Sequence, residues 1–171
     1  MVSPAWLGDD EAWAAAAQVP DPELPMVTLA DLGILRGVRV DGTSVTATVT
    51  PTYSGCPAMG EISHDLRHRL QEAGFADVII RTELSPAWSS DWITAAGRAK
   101  LTAAGIAPPN AAATRSAGPI PLTLSMVTRM VACPHCGSVN TDETSQFSAT
   151  ACKALYRCLD CREPFEYVKE I

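Results

Sequence analysis

The stretch Thr50–Met59, TPTYSGCPAM, decides how this chain is read, because it leaves a strand, crosses a turn and leads into a helix. Upstream of it, Thr46, Thr48 and Thr50 alternate with Val45, Ala47 and Val49, the period-two pattern of a half-buried strand. Pro51 ends that strand, since proline cannot donate to a ladder. Ser54 and Gly55 supply a turn. Pro57 is expected in the first turn of the helix, where its missing N–H costs nothing. Downstream, Met59, Ile62, Leu66, Leu70 and Ala73 recur at three- and four-residue steps, which is one apolar helix face. Cys56 is therefore expected near a helix N-cap, where unpaired N–H groups and the dipole favour a thiolate. The plainer alternative is a small buried hydrophobe.

Working outward, Ile34–Val40 and Thr43–Thr50 flank Asp41-Gly42, a strong hairpin signal. Gly74 stops the helix, and Val78–Leu84 reads as a third strand. Ser85–Trp92, SPAWSSDW, is a loop with two tryptophans, after which Asp91 or Ser90 is positioned to cap a helix over Trp92–Ala103. On the N-terminal side, Asp9, Asp10 and Glu11 open a short helix running to Ala17, which the three prolines of Val19–Pro25 break. Thr28 and Asp31 form a capping-box-like start to a turn that Gly33 terminates. The order β-β-α-β-α predicts an α+β fold, a small sandwich with helices on one sheet face.

The composition bounds the function. Residues 1–110 carry 7 Lys+Arg against 13 Asp+Glu, and residues 111–171 carry 6 against 6, so the whole charge of −6 lies in the first part. That balance offers no basic face for nucleic acid or an anionic membrane. Met1 is followed by Val-Ser-Pro-Ala-Trp, with neither a basic n-region nor an apolar run, and no stretch is long enough to span a bilayer. A cytoplasmic location is the expectation. The six cysteines should then stay reduced, favouring metal ligation or redox chemistry over disulfides.

Ala107–Pro121 is rich in Pro, Ala and Ser with no apolar period and reads as a linker. The expected division is an α+β domain over 1–106, a linker over 107–125 and a ribbon over 126–171. In the last part Cys133-Pro-His-Cys136 and Cys158-Leu-Asp-Cys161 form two C-x-x-C knuckles separated by 21 residues. Two tight turns presenting two thiolates each build a closed tetrahedral site, the zinc-ribbon pattern, although four thiolates also hold iron. Short strands are expected at Ser145–Ser148, Ala154–Arg157 and Phe165–Val168. So small a module buries too little to fold alone, and four-thiolate ligation contributes on the order of 10 kcal/mol.

Other polar groups admit two readings each. Asp21 and Glu23 are candidate ligands or catalytic carboxylates, or else caps in a Pro-rich loop, and Asp31 is a further candidate nearby. His64 and His68, four apart on one helix, are able to chelate a metal or to face water. Cys152 is a small residue of the ribbon or a spare thiol beside the metal. His135, between two ligands, reads as a surface or supporting residue. No Gly-rich phosphate loop or dinucleotide fingerprint is present, which argues against use of NADPH or ATP by this chain.

The Asp21-Pro-Glu segment, the Asp31-Leu-Gly33 turn, the loop with Cys56-Pro57 and the S-P-x-W-x-x-D-W segment together resemble the small domain of SufT- and Mrp-type iron–sulfur maturation factors over about Val19–Ala104. Followed by a linker and a ribbon with Phe147–Ala154 between the knuckles, the chain resembles the PaaD family of the phenylacetate degradation pathway. That resemblance implies association with a multicomponent phenylacetyl-CoA monooxygenase that epoxidises the aromatic ring and has a diiron catalytic subunit. Its reductase carries flavin and a plant-type [2Fe–2S] cluster. The implied work is maturation or repair of a metal centre of that enzyme, most of all the reductase cluster, without intrinsic turnover. The alternative is a docking role within the enzyme complex. Cys56 matches the family's loop cysteine; Cys133, Cys136, Cys158 and Cys161 match the ribbon ligands; and Cys152 matches the extra cysteine. A transient cluster on Cys56 would need further ligands from a homodimer, Cys152 or the client.

Overall fold

The computed structural model describes residues 8–110 and 130–170. Residues 111–125 of the expected 107–125 linker, the start of the ribbon and the first seven residues lie outside them. The chain forms two compact units, one ending at Leu101 and the other running Thr102–Glu170.

The first unit opens with α1 (Asp9–Ala16), whose Gly8 N–H is held by the Glu11 carboxylate at 2.9 Å. Its alanines explain its role: Ala12 and Ala16 are fully buried, while the acidic first turn faces water. β1 (Leu35–Asp41) and β2 (Ser44–Val49) pair antiparallel, with Asp41 opposite Ser44. The hairpin is displaced by one residue from the expected Asp-Gly loop, because Gly42, at φ +60°, takes the first central position and Thr43 the second. A positive φ at the first position alone is the II′-like solution that glycine permits. β2 alternates as its sequence dictates, with Val45, Ala47 and Val49 fully buried.

From β2 the chain crosses through α2 (Met59–Glu72) to β3 (Asp77–Thr82), which pairs parallel to β2, giving the sheet order β1-β2-β3. Ile62, Leu66 and Leu70 of α2 are buried to within 1% exposure, on the face that the three- and four-residue steps mark out. Gly74, at φ +105°, ends the helix. A single 3₁₀ turn at Ser90–Trp92 follows β3, and α3 (Ala95–Ala103) begins three residues later than the sequence suggests. The cap is Thr94, whose Oγ1 accepts the Gly97 N–H at 2.9 Å; Ser90 and Asp91 belong to the 3₁₀ turn.

The second unit is a four-stranded sheet in the order β4-β7-β6-β5. β5 (Thr141–Ser145), β6 (Lys153–Cys158) and β7 (Pro164–Val168) are antiparallel neighbours. β4 (Ile106–Ala107) pairs parallel with β7, so Ala107, expected to begin the linker, is instead a strand residue inside the ribbon core. The strand expected at Ser145–Ser148 lies earlier, as β5 (Thr141–Ser145). Its sequence, TDETS, is exposed at the sheet edge and has no apolar alternation to announce it. Tyr156 stacks on Phe165 at 5.9 Å between centroids and meets Tyr167 edge-on at 5.5 Å, forming the centre of this core.

Candidate functional site

Two constellations carry chemistry, one in each unit. In the first, Cys56 lies in a pair of consecutive turns: its N–H donates to Tyr53 O at 3.2 Å, and its carbonyl accepts the Met59 N–H at 3.4 Å. The N-cap of α2 is Ala58, so Pro57 precedes the cap instead of entering the first turn, and Cys56 lies two residues ahead of the cap. Cys56 is half-buried and in no disulfide. The same loop walls a cleft of about 270 Å³ lined by Thr50, Pro51, Tyr53, Leu84 and Trp88.

A clasp joins two segments of this unit that are distant in sequence, residues 28–36 and 88–100. The Thr28 N–H donates to the Asp31 carboxylate and the Asp31 N–H to Thr28 Oγ1, both at 3.1 Å, completing the box that their spacing predicts. Thr94 donates its N–H to Asp31 O at 2.8 Å, and the buried Trp88 donates its indole N–H to Leu32 O at 2.9 Å. Gly33, at φ +68°, lets Trp92 approach so closely that a Cβ there would stand 2.5 Å from the Trp92 Cβ. Arg36, set out by a bulge in β1, stacks 3.6 Å over the Trp92 ring. Burial raises the Asp31 carboxyl, but the Lys100 ammonium at 2.6 Å and the Thr28 donors outweigh it, so the group is held below its ordinary range.

The carboxylates named from sequence have framework contacts here. Asp21 is buried, and its Oδ1 accepts the N–H groups of Glu23 and Leu24 at 2.9 and 2.8 Å; Glu23 is half-buried beside it. His64 and His68 are exposed, with His68 3.7 Å from Glu72. Sequence reasoning misses Trp88, Lys100 and Arg36 as partners because each meets a residue far along the chain. The SPAWSSDW segment is visible in the sequence, but not what it grips.

In the second unit, the ligand atoms of Cys133, Cys136, Cys158 and Cys161 all lie within 4.8 Å of one another. The Cys133–Cys161 and Cys136–Cys158 sulfurs are 3.7 and 3.6 Å apart. A tetrahedron with metal–sulfur bonds of about 2.3 Å has edges of about 3.8 Å. The donor set therefore fits a closed four-thiolate metal site. Among the described residues it is the one such cluster, and it does not include Cys152, which sits in the turn before β6 with its sulfur 3.1 Å from Thr150 Oγ1. Cys56 falls in the other unit.

Both knuckles are built alike. Gly137 follows Cys136 at φ +76°, and Arg162 follows Cys161 at φ +70°. Asp160 ties the two together, accepting from Ser138 Oγ and from Asn140 Nδ2, and these bonds hold its carboxyl below the usual range. His135 is exposed, and its ring lies 2.9 Å from where a Cβ on Gly105 would stand. Arg162 keeps a side chain where glycine is at ease. Arg162→Gly should relieve about 1–2 kcal/mol of left-handed strain against about 0.5–1 kcal/mol of added unfolded-chain entropy. The ribbon should therefore gain roughly 0.5–1 kcal/mol, read as later thermal denaturation; a less stable variant would contradict this balance.

The thiols do not share one acidity. The Cys161 N–H, against burial and aided by the Asp160 backbone, brings Cys158 down to about 7. The Glu163 backbone pulls Cys161 down, but burial and the three neighbouring sulfurs push it up to about 12. Closely set thiols resist collecting charge without a cation among them, so metal uptake displaces protons and weakens as pH falls.

The architecture is an α+β unit followed by a sheet unit that carries a four-cysteine cluster. Residues 9–76 match the family described as iron-sulfur cluster assembly protein, and residues 118–169 match the PaaD zinc beta ribbon domain. Over 159 residues the chain is 43% identical to an Escherichia coli (strain K12) protein named as the D component of a 1,2-phenylacetyl-CoA epoxidase, covering 93% of this chain and 91% of that one. The chain belongs to the PaaD family. It is also 36% identical over 78 residues to the Fe-S protein maturation auxiliary factor of Porphyromonas gingivalis (strain ATCC BAA-308 / W83), covering 44% of this chain and 73% of that one. A crystal structure of a domain of unknown function, DUF59, from Bacillus anthracis matches with a TM-score of 0.51 at 26% identity, over 54% of this chain and 90% of that one. Among the described residues no helix is long and apolar enough to cross a membrane.

Proposed function

We propose that this protein is a maturation factor for a phenylacetyl-CoA epoxidase complex, delivering an iron–sulfur cluster to the complex's [2Fe–2S] reductase component through Cys56. The observation that carries this reading is Cys56 itself. It is a half-buried thiol in a loop whose Thr50–Ser54 part lines a cleft, in a domain of the iron–sulfur assembly type. Delivery requires a site that lets go, and one thiolate in a loop meets that need better than a closed cage of four. Further ligands would come from the client or from a second copy of the chain. The ribbon holds zinc as a structural ion and serves docking, since its four thiolates leave no open position for chemistry.

The test is Cys56→Ser. At a half-buried loop position the change should move stability by no more than about 0.5 kcal/mol. Transfer to apo-reductase, followed by the visible absorption of the [2Fe–2S] centre, should fall to the rate without the factor. Undiminished transfer would remove Cys56 from the mechanism. A second reading, a docking component without cluster traffic, is favoured by the relative's name as part of the enzyme. Stoichiometric co-purification with the catalytic components, together with normal reductase clusters in its absence, would select it.

A further inference from the structure

β3 is an edge strand. It pairs with β2 on one side, and among the described residues no strand pairs with it on the other. Proteins blunt or cover such edges, because unpaired N–H and C=O groups recruit another strand. This one is not blunted by proline or a bulge, and it carries Ile79, 48% exposed, among the large apolar side chains left in water.

The sequence of the strand, Asp77-Val-Ile-Ile-Arg81, is self-complementary about its middle residue. Asp77, Ile79 and Arg81 are exposed and share one sheet face by alternation, while Val78 and Ile80 stand opposite the buried Val45 and Ala47. Laid antiparallel on a second copy with the two-fold axis at Ile79, the strand places Asp77 against the other copy's arginine at 81, Ile79 against its own counterpart, and Val78 against Ile80.

The backbone agrees with that register. The Glu83 N–H donates to Val49 O at 2.9 Å, so the odd-numbered N–H groups point to β2 and those of Val78 and Ile80 point outward. Val78 and Ile80 then exchange the ladder bonds between copies. The Ile79 pair and both Asp77–Arg81 pairs fall at the non-hydrogen-bonded positions, where side chains come closest.

We infer that β3 is a homodimer surface, joining two copies of this chain edge to edge into a continuous six-stranded sheet. The contact is isologous, so it closes at two copies and does not propagate. It follows from β3 alone and does not require that the protein handle clusters; cluster transfer and dimerisation are separate readouts.

Sedimentation velocity of the full, metal-loaded chain tests it. Wild type should form a dimer as concentration rises. Asp77→Arg and Arg81→Asp each set two like-charged pairs face to face, and should each weaken the dimer on the order of tenfold or more. Mixing the two variants restores opposite charges at both pairs, so a one-to-one heterodimer should reappear, as should the homodimer of the double variant Asp77→Arg, Arg81→Asp. Wild type that stays monomeric, single variants that dimerise as wild type does, or a mixture that stays apart would each overturn the assignment. The restored species also shows that the single variants are folded.

Discussion

Cys133→Ser should unfold the ribbon while leaving the first unit intact. Cys133 is both a metal ligand and part of the core, 2% exposed and packed with Tyr156, Phe165 and Tyr167. A four-thiolate ion contributes on the order of 10 kcal/mol to a module this small, more than its core supplies by itself. Losing one ligand removes most of that contribution and leaves a polar hydroxyl in an apolar site. Amide exchange is the suited measurement, because protection should vanish across β5, β6 and β7 and persist in β2 and α2. Chelation of the wild type near neutral pH should reproduce the pattern. Slow exchange retained in β6 and β7 of the metal-free variant would show that the aromatic cluster suffices, and the ion's structural role would have to be abandoned.

Gly33→Ala should be the most damaging single-atom-scale change in the first unit. The residue is held at φ +68°, which costs an alanine about 1–2 kcal/mol. The added methyl would also stand 2.5 Å from the Trp92 Cβ and 2.8 Å from the Trp92 carbonyl oxygen, a collision that repacking relieves at about 1–3 kcal/mol. Together these amount to about 3 kcal/mol, on the order of 15 °C in the melting temperature of a domain of this size. Thermal unfolding followed in the near-ultraviolet reads the change directly. A variant melting within a few degrees of wild type would mean that the Trp92 segment moves aside without loss, and that the Gly33–Trp92 contact does not hold this unit together.

Local chemistry was legible in the sequence and distant partnership was not. The β2 alternation, the apolar face of α2, the Thr28–Asp31 box and the four ribbon cysteines all read correctly, since each follows from spacing along a short segment. The Asp-Gly signal points to the right hairpin but one residue off, because glycine suits either central position of a two-residue turn. The sequence alone places the start of α3 too early, since Ser90, Asp91 and Thr94 are all good caps and only the packing of the 3₁₀ turn chooses among them. The clasp was out of reach. Lys100 reaches Asp31 across 69 residues, and the Trp88 indole reaches Leu32 across 56. No periodicity encodes such pairs. β5 is not legible in the sequence, because an exposed polar edge strand carries no hydrophobic signature.

β4 has a consequence for how such chains are taken apart and recombined. The visible seam is the proline-rich stretch, and a cut made there would separate Ile106 and Ala107 from β7, their partner. The excised ribbon would keep all four cysteines yet show a bare strand and lack an alanine of its core. A functional graft of the ribbon onto another carrier therefore has to bring the residues from Thr102 onward, so the heritable module is larger than the metal-binding motif that advertises it.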